Sequence, residues 1–296
     1  YMSGKVLCSS DSNWNGAVLE HYNHHHGLDL VTIESIIQSV DGYLWLLGDM
    51  GELLRYNGAR FNPVDLFPGI QTRIYRMWQS GAGSAQTIWL CTNRGLFGLR
   101  QGQLFHHIPQ ERLPKGHYFT IVYQRRNGSM LLGTNKGAGY IYSEGDLRQV
   151  FVLNRILSIV EDHHNKVWIA GGISGLHIFD KTLQKIVLDQ EDLSVFAVHR
   201  AKNNHIWVGS NRGLFQIRGF NTQGQVIRRI GKRNGLPSDS IFKIREDRMG
   251  NLIVGGGNGA SRVGVQRHSV PIDTLLKRKP VKDILIDRDG SLWFGT

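Results

Sequence analysis

The sequence predicts an all-β fold: a seven-bladed β-propeller of four-stranded antiparallel blades, its last blade incomplete and an N-terminal strand closing the ring. Three observations carry this. A Trp-type position followed by Gly recurs about every 41 residues. Short β-branched and aromatic runs between Gly, Asn and Asp turns fill each period, and no segment keeps a 3.6-residue apolar pattern. The units centre on Trp45, Trp89, Met130, Trp168, Trp207, Ile253 and Trp293, so five of the seven tryptophans occupy one repeat position.

Each unit opens on an apolar or alternating run, such as "TIESIIQSV", "RIYRMWQS", "YFTIVYQR" and "SIFKIRED". A tight turn follows ("DGY", "RNGS", "HHNK", "RMGN", "RDGS"), then the Trp-type strand, then a second turn that includes "NRG", "NKG" and "ISG". A third run ("LLRYN", "LFGLR", "LHIFD") and a weaker fourth ("FNPVDL", "LRQVFVL", "VIRRI") complete it. Four strands of five or six residues with their turns account for a period near ~40. A period of that length filled by strands is the mark of a propeller blade, whereas helical repeats of similar length fail on composition. The recurring Trp reads as a packing device between blades. Ala17–Asn23 reads as a fourth strand that pairs into the unit of Trp293, leaving that blade without its third strand, and residues 1–296 read as one domain, a fragment of a longer protein.

Composition narrows the function. The chain has 36 glycines but only seven prolines, and 41% of its residues are hydrophobic, which excludes a disordered Gly/Pro polymer. Two cysteines, Cys8 and Cys91, exclude a disulfide-dense scaffold. No apolar run reaches the ~18–20 residues that span a bilayer, and the opening "YMSGKVLCSSDSNW" has no continuous hydrophobic segment of the signal-peptide kind. A formal charge of +11 favours an anionic partner.

The units "DGYLWLLGDMGELLRYNGARF", "NGLPSDSIFKIREDRMGNLIVGG" and "VKDILIDRDGSLWFGT" resemble two-component regulator propeller repeats. The resemblance covers about residues 17–296 and is weakest where Met130 and Ile253 stand in the Trp position. It implies the extracytoplasmic sensor region of a bacterial signalling receptor, periplasmic or extracellular, attached to an inner membrane. It also implies neighbouring receptor domains, an output domain such as a histidine kinase or nucleotide cyclase, and a homodimer in the full-length protein. Carbohydrate sensing, implied in the same way, makes an acidic oligosaccharide one candidate ligand.

Catalytic chemistry is not legible, and no catalytic residue, cofactor or metal is assigned. Asp287–Gly290 resembles the start of a calcium loop but lacks the later acidic ligand, and consecutive His24–His26 on an extended segment would point in alternating directions. Cys91, where the repeat usually has Gly, reads as a buried packing thiol. Positive charge is the sharper feature. The second-to-third turns "TNRG", "TNKG" and "SNRG" put Arg94, Lys136 and Arg212 at one repeat position, hence on one face, and the loops entering the innermost strands add Arg73, Lys115, Arg155 and Lys279. Asp49, Glu191 and Asp192 interrupt the ring, while His117 and Tyr118 beside it are placed to stack on a sugar or other ring. The candidate ligand-binding set is therefore Arg73, Arg94, His117, Tyr118, Lys136, Arg155 and Arg212. The opposite face, with Asp41, Arg125, Asp162, Asp247 and Asp289, mixes its charges.

A non-catalytic ligand-sensing propeller is the first reading. The alternatives are a protein-interaction scaffold and a propeller lyase or hydrolase. Nucleic acid is not expected, because the basic loops lack interleaved stacking aromatics.

Overall fold

Runs of three to seven residues between turns fold as antiparallel strands in the computed structural model, which describes residues 6–9, 20–81, 83–186, 188, 193–218, 225–265 and 272–296. Helix among the described residues is limited to four three-residue 3-10 turns. Six sheets are each made of four consecutive strands, with innermost strands Ile33–Gln38, Ile74–Ser80, Phe119–Gln124, Ser158–Glu161, Val195–Arg200 and Ile241–Glu246. The architecture is an all-β propeller of four-stranded antiparallel blades.

The seam differs from the sequence expectation. Asp283–Ile286 and Leu292–Gly295 form a two-stranded partial blade, as the repeat count anticipated. Val6–Ser9 pairs with Leu292–Gly295, and Glu20–Tyr22 pairs outside Val6–Ser9. Two N-terminal strands therefore join this sheet rather than one, and the third-strand place expected to be empty is taken. A four-residue run, "VLCS", is too short to show the alternation that marks a strand in a sequence. Residues 17–19 of the expected Ala17–Asn23 strand lie outside the described residues. Tyr22 anchors the outer strand: its ring stacks on Trp293 with centroids 5.6 Å apart and meets Phe61 edge-on at 5.5 Å.

Seven buried hydrophobic clusters lie between neighbouring sheets, and each contains one Trp-position side chain of the preceding blade. Trp45 packs with Met77 and Ile88 of the next blade, Trp168 with Val198 and Ile206, and Trp293 with Ile36 and Leu44. Burying such a ring contributes up to about 4–6 kcal/mol by area. Strand register corrects one position. Opposite Ile37, Val160 and His199 stand Trp45, Trp168 and Trp207, but the corresponding Tyr123 faces Leu131, not Met130. A one-residue shift moves a side chain to the other face of the sheet. Met130 accordingly packs backwards against Trp89, while Leu131 packs forwards with Ile159 and Val167.

The tight turns explain why Trp and a turn acid travel together. In six of them, starting at Ser39, Arg125, Asp162, Ala201, Asp247 and Asp287, the first residue's N–H donates to the carbonyl four residues on, and its own carbonyl accepts from the fourth residue of the turn. That fourth residue has positive φ and is Gly42, Gly128, Asn165, Asn204, Gly250 or Gly290. The first side chain then receives the indole N–H: Trp168 donates to Asp162 at 2.9 Å, Trp293 to Asp287 at 2.8 Å and Trp45 to Ser39 at 3.0 Å. Asp287 also accepts the Asp289 and Ser291 amides, so its carboxylate builds the turn that resembled a calcium loop. Where Ile253 replaces Trp, Arg262 reaches Asp247 at 2.6 Å instead. Where Ala201 replaces the acceptor, the Trp207 indole N–H is buried with no partner.

The same face is stitched from blade to blade. Arg125 donates to Glu161 and to the Asn165 carbonyl, Lys202 to the Asp247 carbonyl, and Arg288 to the Val40 and Ser39 carbonyls across the seam. Glu161, Glu246 and Gln38 in turn accept the amides of Arg126, Lys202 and Arg288. The mixed charge expected here is thus structural cross-linking. Three histidines carry a cost at low pH. Burial first, then the nearby cations Arg100, Lys185 and Arg245, hold His107, His177 and His199 below the usual imidazole value, although Glu246 pulls His199 the other way.

Two outcomes follow. Ala201→Ser supplies the missing acceptor and is expected to raise unfolding free energy by about 1 kcal/mol in urea titrations; an unchanged midpoint would count against the indole account. The unfolded histidines take up protons near pH 6.5 while the folded ones resist, so stability is greatest above that value and falls as pH drops below it. The melting temperature is expected to fall between pH 7.5 and 5.5, less steeply in His199→Gln.

Candidate functional site

The second-to-third strand turns assign most of their residues to backbone work. Thr92 donates to the Gly95 carbonyl at 2.9 Å and accepts the Arg94 amide, and Ser210 does the same for Gly213 and Arg212. Asn93, Asn135 and Asn211 accept the amides of Arg73, Tyr118 and Ser194, pinning each turn to the chain entering the innermost strand. The glycine is required: Gly95 and Gly137 have φ of 111° and 77°, and a Cβ there would lie 2.1 Å from the Ile108 carbonyl oxygen and 1.8 Å from that of Leu153. The hydrogen bonds that build these turns use the Thr or Ser hydroxyl, the Asn amide and the backbone, not the side chains of Arg94 and Lys136.

A second device lies just inside. In five blades the pairing of the innermost strand slips after its first residue, a β-bulge that re-aims the second residue. Those residues are Glu34, Tyr75, Thr120, Phe196 and Phe242, and register places Leu157 and Lys282 in the same position of the other two sheets. Two neighbouring pairs of them meet around the axis, and Tyr75 meets the chain entering the next blade's innermost strand. Phe196 packs edge-on against Phe242 at 5.3 Å, Lys282 pairs with Glu34, and Tyr75 stacks on Tyr118 with centroids 3.7 Å apart and planes 20° from parallel.

A cavity of about 390 Å³ opens here across blades one to four. Arg73, Tyr118 and Arg155 of the sequence-derived set line it, together with Asp49, Tyr75, Arg76, Thr120 and Asn135. Arg73 lies over the Tyr75 ring at 5.7 Å and donates to the Asp49 main-chain carbonyl at 3.3 Å. Three guanidinium groups against one carboxylate give the cavity a positive interior, and the paired tyrosines give it a flat wall. Arg94, Lys136 and Arg212 occupy equivalent turns at this end but are not part of the lining, and neither is His117, beside Tyr118. Glu191 and Asp192 lie outside the described residues. Cys91 is fully buried, and burial pushes its thiol well above the ordinary range. His24–His26 forms a 3-10 turn capped by Asn23.

Sequence reading missed Tyr75 and Arg76, because a bulge is invisible in an alternating run: the residue after it looks like core and is turned toward the axis. It also missed the ions beneath the cavity. Glu34 binds Arg76 at 3.0 Å as well as Lys282, and Asp283 binds Lys243 at 2.8 Å. Burial pushes the Asp283 carboxyl up, but Lys243, Arg245 and the Ile36 amide outweigh it and hold it below the usual carboxylate value. Burial also lowers the Lys243 ammonium, partly offset by Asp283. Since the Ile36 amide donates to Asp283 at 2.9 Å, this carboxylate joins three sheets.

Fold and cavity together define a propeller with a cationic, aromatic-walled mouth. Residues 276–296 match the family model described as "Two component regulator propeller", so the resemblance read from "VKDILIDRDGSLWFGT" holds on that segment. No curated protein sequence matches the chain. Among solved structures, the extracellular domain of the hybrid two component system BT3049 from B. thetaiotaomicron is similar with a TM-score of 0.71 at 18% identity, over 89% of this chain and 38% of that one. The chain thus spans well under half the length of that relative. Virginiamycin B lyase from Staphylococcus aureus, solved with quinupristin, is similar with a TM-score of 0.68 at 12% identity, over 90% of this chain and 94% of the lyase. YCF48 from Cyanidioschyzon merolae gives 0.62 at 14%, over 89% and 94%. At these identities the likeness is one of fold.

The buried and exposed ion pairs are expected to differ in weight. Asp283→Asn leaves Lys243 unpaired and should cost about 3 kcal/mol in urea unfolding, whereas Arg76→Gln, at a pair whose arginine side chain is 44% exposed, should cost less than about 1 kcal/mol. Equal costs would show that the axis is wetter than the packing implies.

Proposed function

We propose that this chain is the ligand-sensing propeller of a bacterial two-component receptor. It works outside the cytoplasm, as a seven-bladed ring whose seam is closed by the N-terminal strands. It binds an anionic ligand, with an acidic oligosaccharide as the favoured class, in the cavity lined by Arg73, Tyr118 and Arg155. That cavity is the observation that carries the reading: its cations attract an acid group while the Tyr75–Tyr118 wall offers a face to a sugar ring. The repeat match at residues 276–296 and the BT3049 fold likeness support the receptor context. Neighbouring domains of the same receptor, and a second copy of it, are the partners this reading implies. Arg94, Lys136 and Arg212 act at longer range, as a field around the mouth.

The lyase likeness favours one competing reading, an enzyme working at the same mouth. Against it, the cavity lining holds no histidine and a single carboxylate, Asp49. Titration with trigalacturonate by calorimetry, followed by chromatography of the recovered sugar, separates the two. Binding without cleavage is expected. Arg73→Ala with Arg155→Ala should weaken it about tenfold or more, and the Arg94, Lys136 and Arg212 triple alanine variant by only about threefold, vanishing at high salt. Cleavage of the sugar would favour the enzyme, and equal binding by all variants would remove the cavity from the account.

A further inference from the structure

Arg76 belongs to two systems. It lines the cavity beside Arg73 and Arg155, and it holds Glu34 at 3.0 Å. Neither Arg73 nor Arg155 has a carboxylate partner among the described residues. Arg76 is therefore the cavity arginine already carrying an acid, and that acid comes from the chain itself. Glu34 has a second cation, Lys282 of the seam sheet, so it does not need Arg76 to stay paired. The two members of this ion pair differ in accessibility as a displaceable contact requires: the Arg76 side chain is 44% exposed, while that of Glu34 is only 15% exposed and cannot follow its partner out.

We propose that Arg76 is a third anion-binding group of the cavity and that Glu34 is its built-in competitor. An entering carboxylate or sulfate takes the Arg76 guanidinium, and Glu34 is left to Lys282. This rests on the proposed anion site but adds a residue that sets how acidic a ligand must be: a neutral sugar cannot displace Glu34, and a charged one can. It also links occupancy to the seam. Glu34 is on the first blade and Lys282 on the sheet completed by the N-terminal strands, so a stronger Glu34–Lys282 contact tightens that junction when the cavity is filled.

The test is a double-mutant cycle, because removing any acid near a cation site raises anion affinity somewhat. Trigalacturonate and inorganic sulfate are titrated into the wild-type chain, Glu34→Gln, Arg76→Gln and the double variant, with thermal melts to establish folding. Glu34→Gln is expected to tighten binding about threefold to fivefold, Arg76→Gln to weaken it, and Glu34→Gln to give no gain once Arg76 is gone. An equal gain in both backgrounds would reduce Glu34 to a field effect and overturn the proposal, as would no gain at all. If Arg73→Ala with Arg155→Ala abolishes binding while Arg76→Gln does not, the anion site stands and the competitor falls. If no variant binds either probe, both fall together.

Discussion

The structure depends on one contact, the side chain that each blade drives into the face of the next. A four-stranded sheet of this size has two apolar faces and cannot cover either by itself. The Trp-position residue solves this for one face, and the neighbouring blade's strands solve it for the other. Because every interface uses the same solution, the sheets must fan about an axis, and the last must meet the first. Trp293 packed among Ile36 and Leu44 is that meeting. The indole N–H is the difficulty in the device, and the turn acid answers it, which is why Asp162 and Asp287 stand six residues before their tryptophans.

From this constraint the division of labour between the two ends follows. The tight-turn end is consumed by cross-links: arginine and lysine side chains donate to carbonyls of the next blade, whose Glu161, Glu246 or Gln38 accepts an amide of the preceding one. The other end has its turns pinned by Thr or Ser, Asn and Gly, while Arg73 and Arg76 there reach the Asp49 carbonyl and Glu34 beside the cavity. Bulges at this end bring strand residues to the axis. One rim of the propeller is thus cross-linked from blade to blade, and the other carries the cavity lined by Arg73, Tyr118 and Arg155.

At the axis the charges do not simply add. Asp283 is buried and committed, tied to Lys243 and to the Ile36 amide. Glu34 is shared between Arg76 and Lys282, one pointing into the cavity and one belonging to the seam. The first arrangement fixes three sheets together. The second has an alternative state available at little cost, since one of its two cations can leave without stranding the carboxylate.

By itself the sequence determined the blade. Turn glycines, the period near 41 residues and the recurring Trp are local patterns, and local hydrogen bonding and packing read them the same way in every unit. It also put Arg73, Arg94, His117, Tyr118, Lys136, Arg155 and Arg212 at one end, because repeat positions map to one end of a propeller, but only Arg73, Tyr118 and Arg155 of them line the cavity. Tertiary structure alone decided the rest. Leu131 rather than Met130 fills the third blade's Trp place because register, not spacing, sets which face a residue takes. Tyr75 and Arg76 reach the cavity because a bulge turns them there, and Val6–Ser9 finds its strand position because a partner edge was waiting. Each of these is settled by contacts between residues far apart in the chain, which no reading along it contains.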